Sequence, residues 1–362
     1  MASDPAGVVI VGGGVAGSLL ALALREQGSA VTLIDPPGAA DGFSASATAI
    51  SYGALPGWPL APTPLSRLAA GASKRWRALQ QRHGDLGWRP RALRLHGPSR
   101  TLSAIGRLGV LPFAQVDTAV LTARLPELLA AAGVQLRAAR VLSLAPVTDG
   151  WELSLDDGAP CQADRVVLAA GAACRSLWPA LPERLRSSWA AVLELAAFPA
   201  GLGRSAAWLP QRFARVELER RAATLEQLDW VVDPGLVPRG SGALLGQLSL
   251  IRPGGALAQP PLPAQSEEQL RLGLAADPWG ASWAAQPGRQ RQAPVAFCSG
   301  GAPLVGPVPQ AQGLWVFSGF SAGFAQVPVL APLLAQRLAA APEPAAQAER
   351  RLQQLGVWPA GG

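Results

Sequence analysis

The sequence predicts an α/β fold in which a parallel or mixed open sheet is joined to a second lobe built on an antiparallel sheet. Three observations carry this. Apolar strand-like runs alternate with helical periods over the first 36 residues and again between Val116 and Gly171. The first of these runs passes straight into a glycine-rich turn that opens a helix, as in the βαβ units of parallel sheets. From Trp189 to about Val295 short strand-like runs are instead separated by Gly and Pro turns.

The opening unit is the most informative. Val8-Val9-Ile10-Val11 is a β-branched run that reads as a buried strand, and it enters Gly12-Gly13-Gly14-Val15-Ala16-Gly17. Gly12 permits the tight turn, Gly14 lets a pyrophosphate approach the backbone, and Gly17 lets the following helix pack on the strand. Leu19 to Gln27 reads as that helix, and Gly28 ends it. Its free N–H groups and dipole favour a negative charge at the turn. Val31 to Ile34 forms a second strand, ending on Asp35 before Pro36. A carboxylate at that distance can accept both hydroxyls of a ribose, and it argues against a 2′-phosphate and so against NADP. The unit alone suits FAD and NAD equally.

A small polar loop follows, with Ser44, Ser46, Ala47 and Thr48, and its serine and threonine hydroxyls can bond the same pyrophosphate from its other side. Residues 56–64 are proline-rich and mark a crossing into another lobe. Ser66 to Arg82 has helical spacing through Leu68, Trp76 and Leu79, while Ala92–His96 and Leu108–Leu111 alternate like strands. His96 reads as an ordinary edge-strand residue. Asp117 caps a helix carrying Leu121, Leu125 and Leu128, which Gly133 closes. Val134–Leu136, Val141–Leu144 and Trp151–Leu155 read as strands, the last opening a hairpin at Asp156-Asp157-Gly158. Arg165 to Gly171 is a further buried strand ending on glycine.

In the second lobe Val192–Leu195, Ala214–Leu218, Leu228–Val232 and Ala243–Ile251 read as strands, and Ser266 caps a helix through Leu270 and Leu274. Pro303–Pro307 then precedes the strand Leu314–Gly319, and a final helix carries Phe324, Val327, Leu330, Leu334 and Leu338. Pro332 is expected to kink that helix, and the alanine-rich tail from Pro342 to fray.

Composition narrows the class. With 362 residues and 49% apolar side chains the chain is globular and large enough for two lobes. No apolar run is long enough to span a membrane, and the N-terminal apolar stretch lacks the basic leader of a signal peptide. Cys161, Cys174 and Cys298 are scattered without metal-ligand spacing, which fits a reducing cytoplasm. His83 and His96 are the only histidines, too few for a histidine-based metal site or hydrolytic triad. The net charge is +7, and Arg67 to Arg107 holds ten basic residues against one acid, Asp85. Such a field can steer an anionic substrate or nucleic acid, although a solvated arginine-rich face is the simpler reading.

Four separated stretches together resemble the FAD-dependent oxidoreductases of the D-amino-acid oxidase type, which include glycine oxidase and sarcosine oxidase. They are Val8–Asp35, Ser44-Ala45-Ser46, Arg165–Ala172, and Pro303-Leu304-Val305-Gly306-Pro307 followed by Ser318–Phe324 and Pro328. Ser-Ala-Ser and Pro-Leu-Val-Gly-Pro are also similar to the oxidase half of the bifunctional tRNA-uridine-modifying enzyme. The resemblance implies a Rossmann-like, glutathione-reductase-type FAD-binding domain (1–55, 108–187 and 300–345) with an inserted antiparallel-sheet substrate domain (56–107 and 188–299) and a C-terminal tail (346–362). It places Val141 near the adenine, Ala170, Gly171 and Gly306 near the FAD, and Gly319, Phe320, Ser321, Ala322, Gly323 and Phe324 facing the flavin ring.

The activity it implies is hydride transfer to flavin from a C–H beside an amine, with oxygen as acceptor and a small amine-like molecule as substrate. The chain departs from the family where an arginine commonly holds the substrate carboxylate, for it has Val295 there. Gly300 and Phe320 stand in place of a common aspartate and histidine. Arg289, Arg291, Arg91 and Arg94 are candidate replacements for the arginine. Two other functions stay open: action on a modified tRNA base or other large anion, with Arg67–Arg107 as contact face, and a non-catalytic FAD-binding interaction protein. Neither a catalytic residue nor an oligomeric state can be assigned from the sequence.

Overall fold

Val8–Val11 lies at the centre of a six-stranded sheet in the computed structural model, which describes residues 7–38, 46–255 and 257–359. The strand sends alternate side chains into two cores. Val8 and Ile10 meet Leu20 and Leu24 of the helix Val15–Glu26, with Leu330 and Leu334 of the helix Gly323–Ala339. Val9 and Val11 meet Val166, Leu168, Trp151 and Leu153 on the other face. Cover on both faces is why the strand reads as an unbroken apolar run. The strand order is Leu304–Pro307, Leu314–Ser318, Arg165–Leu168, Val8–Val11, Val31–Asp35, Gln135–Ala138. All neighbours are parallel except Leu304–Pro307, which runs antiparallel to Leu314–Ser318. A meander of Val141–Val147, Gly150–Leu155 and Cys161–Ala163 adds Trp151 and Leu153 to the Val9 face.

The second six-stranded sheet runs Arg289–Cys298, Leu185–Leu195, Gly242–Ile251, Asp229–Arg239, Ala206–Pro210, Ala92–His96. It is antiparallel apart from its last pair, in which Ala92–His96 and Ala206–Pro210 run parallel. The helix Pro263–Ala276 covers one face, with Leu270 and Leu274 against Leu193 and Leu245. The opposite face holds Ile50, Tyr52, Leu93, Val192 and Leu244. Chain from both lobes thus meets on the face where a site can form.

Several expectations are corrected, and in each case long-range packing overrides a local pattern. Ala214–Leu218 is not a strand but the start of the helix Ala214–Arg221, because the buried carboxylate of Asp233 accepts the N–H groups of Ala214 and Arg215. Leu108–Leu111 is not a strand either. Ser99 caps a helix Arg100–Leu108, and the apolar alternation that follows is exposed, at 74% for Leu108 and 66% for Val110. The helical stretch 66–82 is two helices, Pro64–Ala69 and Ala72–His83, parted at Ala70-Gly71. Ser266 is not a cap, since its helix begins at Pro263 and its buried hydroxyl donates to Gln292.

The segment 56–107 does not belong to one lobe. Ala92–His96 joins the second sheet, but Leu65, Ala69, Ala72 and Trp76 are buried beside the helix Gly323–Ala339. The end of the chain is not a loose tail: Pro342–Gln354 is a helix whose Ala348 and Leu352 are buried, and Val305 donates its N–H to the Val357 carbonyl. The helix Gly323–Ala339 continues through both Pro328 and Pro332. Its apolar stripe, from Val327 to Leu338, is buried.

Candidate functional site

Each glycine of the first turn meets a different constraint. Gly12 has φ +109° and no room for a side chain, since a Cβ would come within 2.6 Å of the Ala169 carbonyl oxygen. A Cβ on Gly17 would strike the Gly12 carbonyl, so this glycine permits the packing of helix on turn. Gly14 differs, for a Cβ there would meet only the Thr48 hydroxyl, at 3.2 Å. The protein itself has space above Gly14, and that space belongs to a cavity.

The cavity measures about 710 Å³ and lies at the C-terminal edge of the parallel sheet, where open α/β folds bind ligands. Gly12, Gly14, Val15, Ala16, Asp35, Pro36, Ser46 and Ala47 line one end. The N–H of Gly13 donates to Asp35 Oδ1 at 2.7 Å, and the N–H of Val15 donates to Thr48 Oγ1 at 2.9 Å. Burial pushes the Asp35 pKa up while the Gly13 N–H pulls it down, with a net rise. Arg140, Val141 and Leu142 continue this end, and Ala170 and Gly171 form part of the floor.

The other end lies between Gly319–Phe324 and the second sheet, which contributes Gln247, Pro294, Val295 and Ala296. Gly319 has φ +84°, and Phe317 and Phe320 meet edge to face with centroids 4.8 Å apart. Ser318 Oγ donates to the Gly171 carbonyl at 3.3 Å, tying the two glycine-bearing strand ends together. The helix Gly323–Ala339 begins at this wall, so its N-terminus faces the cavity through Gly323 and Phe324.

Most residues singled out from the sequence therefore converge on one space, but not all. Gly13 and Gly17 support the turn from behind, and Ala322 is the N-cap residue of the last helix rather than part of the lining. Gly306 lies away from the cavity. A Cβ on it would meet Pro359 at 2.6 Å, so it accommodates the chain end. Ser44 lies outside the described residues. None of the four proposed arginine replacements lines the cavity. Arg91 donates to Gln115 and to the Arg204 carbonyl, Arg94 donates to the Gly106 carbonyl, Arg291 pairs with Glu194, and Arg289 is exposed.

Sequence reasoning missed Arg140, Gln247 and Arg215. Thr48 is legible in the hydroxyl-rich loop, whereas Arg215 leaves no signal, because its local pattern suggests a strand. Arg215 Nη1 donates to Glu219 Oε1 at 2.7 Å, and both terminal nitrogens reach the Ser321 carbonyl at 3.4–3.5 Å. Burial pushes the Glu219 pKa up, and Arg215 opposes this.

Other groups stand apart. His96 is buried on the edge strand, with Nε2 2.9 Å from the Pro234 carbonyl and its ring stacked 4.2 Å from Trp279. Burial pushes the Cys174 and Cys298 thiols up to about 11, so both stay protonated at neutral pH. Among the described residues no group of three or more His, Cys, Asp or Glu is placed to hold a metal ion. No helix there is long and apolar enough to cross a membrane.

A parallel sheet with a glycine turn, an acid ending its second strand and a cavity shared with a second sheet is the layout of two-lobed dinucleotide-binding proteins. The family model described as FAD dependent oxidoreductase, of the D-amino-acid oxidase group, matches residues 7–111 and 102–337. The chain belongs to this family, and FAD is its cofactor. Similar solved structures include glycine oxidase from Geobacillus kaustophilus, at 19% identity and TM-score 0.67, covering 93% of this chain and 95% of that one. Iminodiacetate oxidase from Chelativorans sp. BNC1 is 19% identical with TM-score 0.64, covering 92% and 94%. L-proline dehydrogenase from P. horikoshii is 12% identical with TM-score 0.67, covering 99% and 100%. A search of curated proteins finds no match.

Proposed function

We propose that this oxidoreductase takes a hydride from a carbon beside an amine, leaving an imine that water hydrolyses, and that oxygen is the final acceptor. The observation that carries the reading is the single cavity running from the Gly12–Ala16 turn to the wall made by Gly319–Phe324 and Val295. Glycine oxidase, iminodiacetate oxidase and L-proline dehydrogenase, by their names, act on amino acids and related amines, and their shared fold supports the same class here.

Bound FAD supplies the two-electron acceptor. In this reading Gly12, Gly14 and the first turn of the helix Val15–Glu26 hold the pyrophosphate, with Ser46 and Thr48 on its other side. Asp35 takes the ribose hydroxyls, and Val141 with Leu142 covers the adenine. The N-terminus of Gly323–Ala339 sits where negative charge collects on reduction. The space above Gly14, which a side chain would fill, fits a cofactor that needs close backbone approach. Among the described residues no His, Lys or Glu lines the cavity and its one carboxylate, Asp35, lies at the turn end, so in this reading the amine enters already neutral. The FAD domain then comprises the parallel sheet, the helices 64–83 and the C-terminal helices, and the second sheet forms the substrate domain.

The test is anaerobic mixing of the FAD-loaded protein with a panel of amines and amino acids, followed by admission of oxygen. Bleaching of the flavin near 450 nm by some member of the panel (on the order of seconds or faster, typical enzyme turnover), with peroxide on reoxidation, is expected. A flavin that no amine bleaches would overturn the assignment.

A further inference from the structure

We propose that Arg215 determines substrate specificity by anchoring an anionic carboxylate of the substrate, from the helix Ala214–Arg221 rather than from the strand Arg289–Cys298 where Val295 stands. The inference rests on the amine-oxidising reading above for what the bound molecule is, and on geometry for where its anion goes.

Arg215 is positioned by long-range contacts. Asp233, 2% exposed, accepts the N–H groups of both Ala214 and Arg215 and so fixes the start of the helix. Leu218 and Ala222 pack with Ile251 and Phe297, and Phe297 is two residues along the strand from Val295. The helix therefore lies against the same strand whose Val295 lines the cavity. Among the described residues three charged side chains line the cavity, Asp35, Arg140 and Arg215. Asp35 and Arg140 sit at the turn end, which leaves Arg215 as the charge at the end formed by Gln247, Pro294, Val295 and Phe320.

The guanidinium is oriented but not satisfied. Of its five N–H donors, one makes a short bond to Glu219 Oε1, at 2.7 Å. The contacts to the Ser321 carbonyl, at 3.4 and 3.5 Å, lie at the limit of a hydrogen bond, and Nε is buried with no acceptor. Buried donors are normally paired, so this degree of vacancy is unusual. Glu219, at 7% side-chain exposure, offsets the cost of holding a cation in a low-dielectric wall and leaves Nη2 free of any short bond. A planar carboxylate on that nitrogen completes the arginine's coordination. Val295 and the proline beside it bring no charge to this end of the cavity, so selectivity for the anion falls on this one side chain.

The test uses the FAD-loaded protein and a near-isosteric pair that cannot be oxidised, benzoate and benzamide, with binding followed by perturbation of the flavin absorbance. Benzoate is expected to bind at least tenfold more tightly than benzamide. Arg215→Gln should weaken benzoate at least tenfold and leave benzamide unchanged, with Arg215→Lys in between, because a lysine keeps the charge but not the planar fork. Equal affinity for benzoate in the native and Arg215→Gln proteins overturns the proposal, as does a native protein that does not prefer benzoate. Where Arg215→Gln fails to retain FAD, Arg215→Lys makes the comparison, and native-like affinity for benzoate in it overturns the proposal. Failure of the amine-oxidising reading looks different: benzoate selectivity persists while no amine bleaches the flavin.

Discussion

Trp76 donates its indole N–H to the carbonyl oxygen of Phe324 at 2.8 Å, and their rings stack 5.9 Å apart. The acceptor is the one that Pro328 leaves open, since proline has no N–H for the carbonyl four residues earlier. A buried tryptophan from one segment thus completes the backbone of the helix whose first turn lines the cavity. Trp76→Phe should destabilise the protein by about 1–3 kcal/mol, the cost of an unpaired buried acceptor. In a Pro328→Ala background, which restores the N–H, the same change should cost less. Urea unfolding of the four proteins measures the coupling, and strict additivity would refute this account of the pair.

Gly14→Val should abolish FAD retention without unfolding the protein. A Cβ at this position meets only Thr48 Oγ1, at 3.2 Å, so the side chain occupies ligand space rather than protein space. Gly17→Val should lose both, because the Gly12 carbonyl already fills its Cβ position. Flavin absorbance per protein and a thermal melt distinguish the two results. A yellow Gly14→Val protein would mean that the pyrophosphate lies elsewhere.

Asp35→Ala should weaken FAD binding by about 2–3 kcal/mol, the scale of charge-assisted hydrogen bonds to the ribose. The carboxylate also accepts the Gly13 N–H at 2.7 Å, so the turn loses a support as well. Titration of the apoprotein with FAD gives the answer, and native-like affinity in the variant would remove Asp35 from the site.

His96 should make stability depend on pH. Burial holds its pKa below the ordinary 6.5, despite Asp277 and the Pro234 carbonyl, which act the other way. The unfolded chain therefore binds the proton more readily, and the native state loses stability as pH falls below about 6.5 toward the lower folded value. Above that window the histidine is neutral in both states and contributes no slope. In His96→Gln the stacking on Trp279 is lost, at a cost of roughly 0.5–1.5 kcal/mol near pH 7.5. The gap between the two melting temperatures should then narrow between pH 7 and pH 5. A constant gap would show that His96 titrates normally.

The sequence by itself determined those parts of the protein whose physics is local. Gly12, Gly14, Gly17 and Asp35 lie within one strand–turn–helix–strand unit, where backbone conformation and spacing dictate the geometry. The unbroken burial of Val8 to Val11 and the Asp117 cap were legible for the same reason. Tertiary structure alone decided what distant segments do to one another. Asp233 turns a strand-like stretch into the helix that carries Arg215, and Trp76 supplies the bond that Pro328 cannot. Gly306 was misplaced because the Pro359 that crowds it lies more than fifty residues further along the chain. Arg91 and Arg94 read as free cations until the carbonyls of Arg204 and Gly106 were brought to them. A hydrogen bond between remote residues leaves no period in the sequence, and the end of this cavity beside Arg215 and Ser321 is built from such bonds.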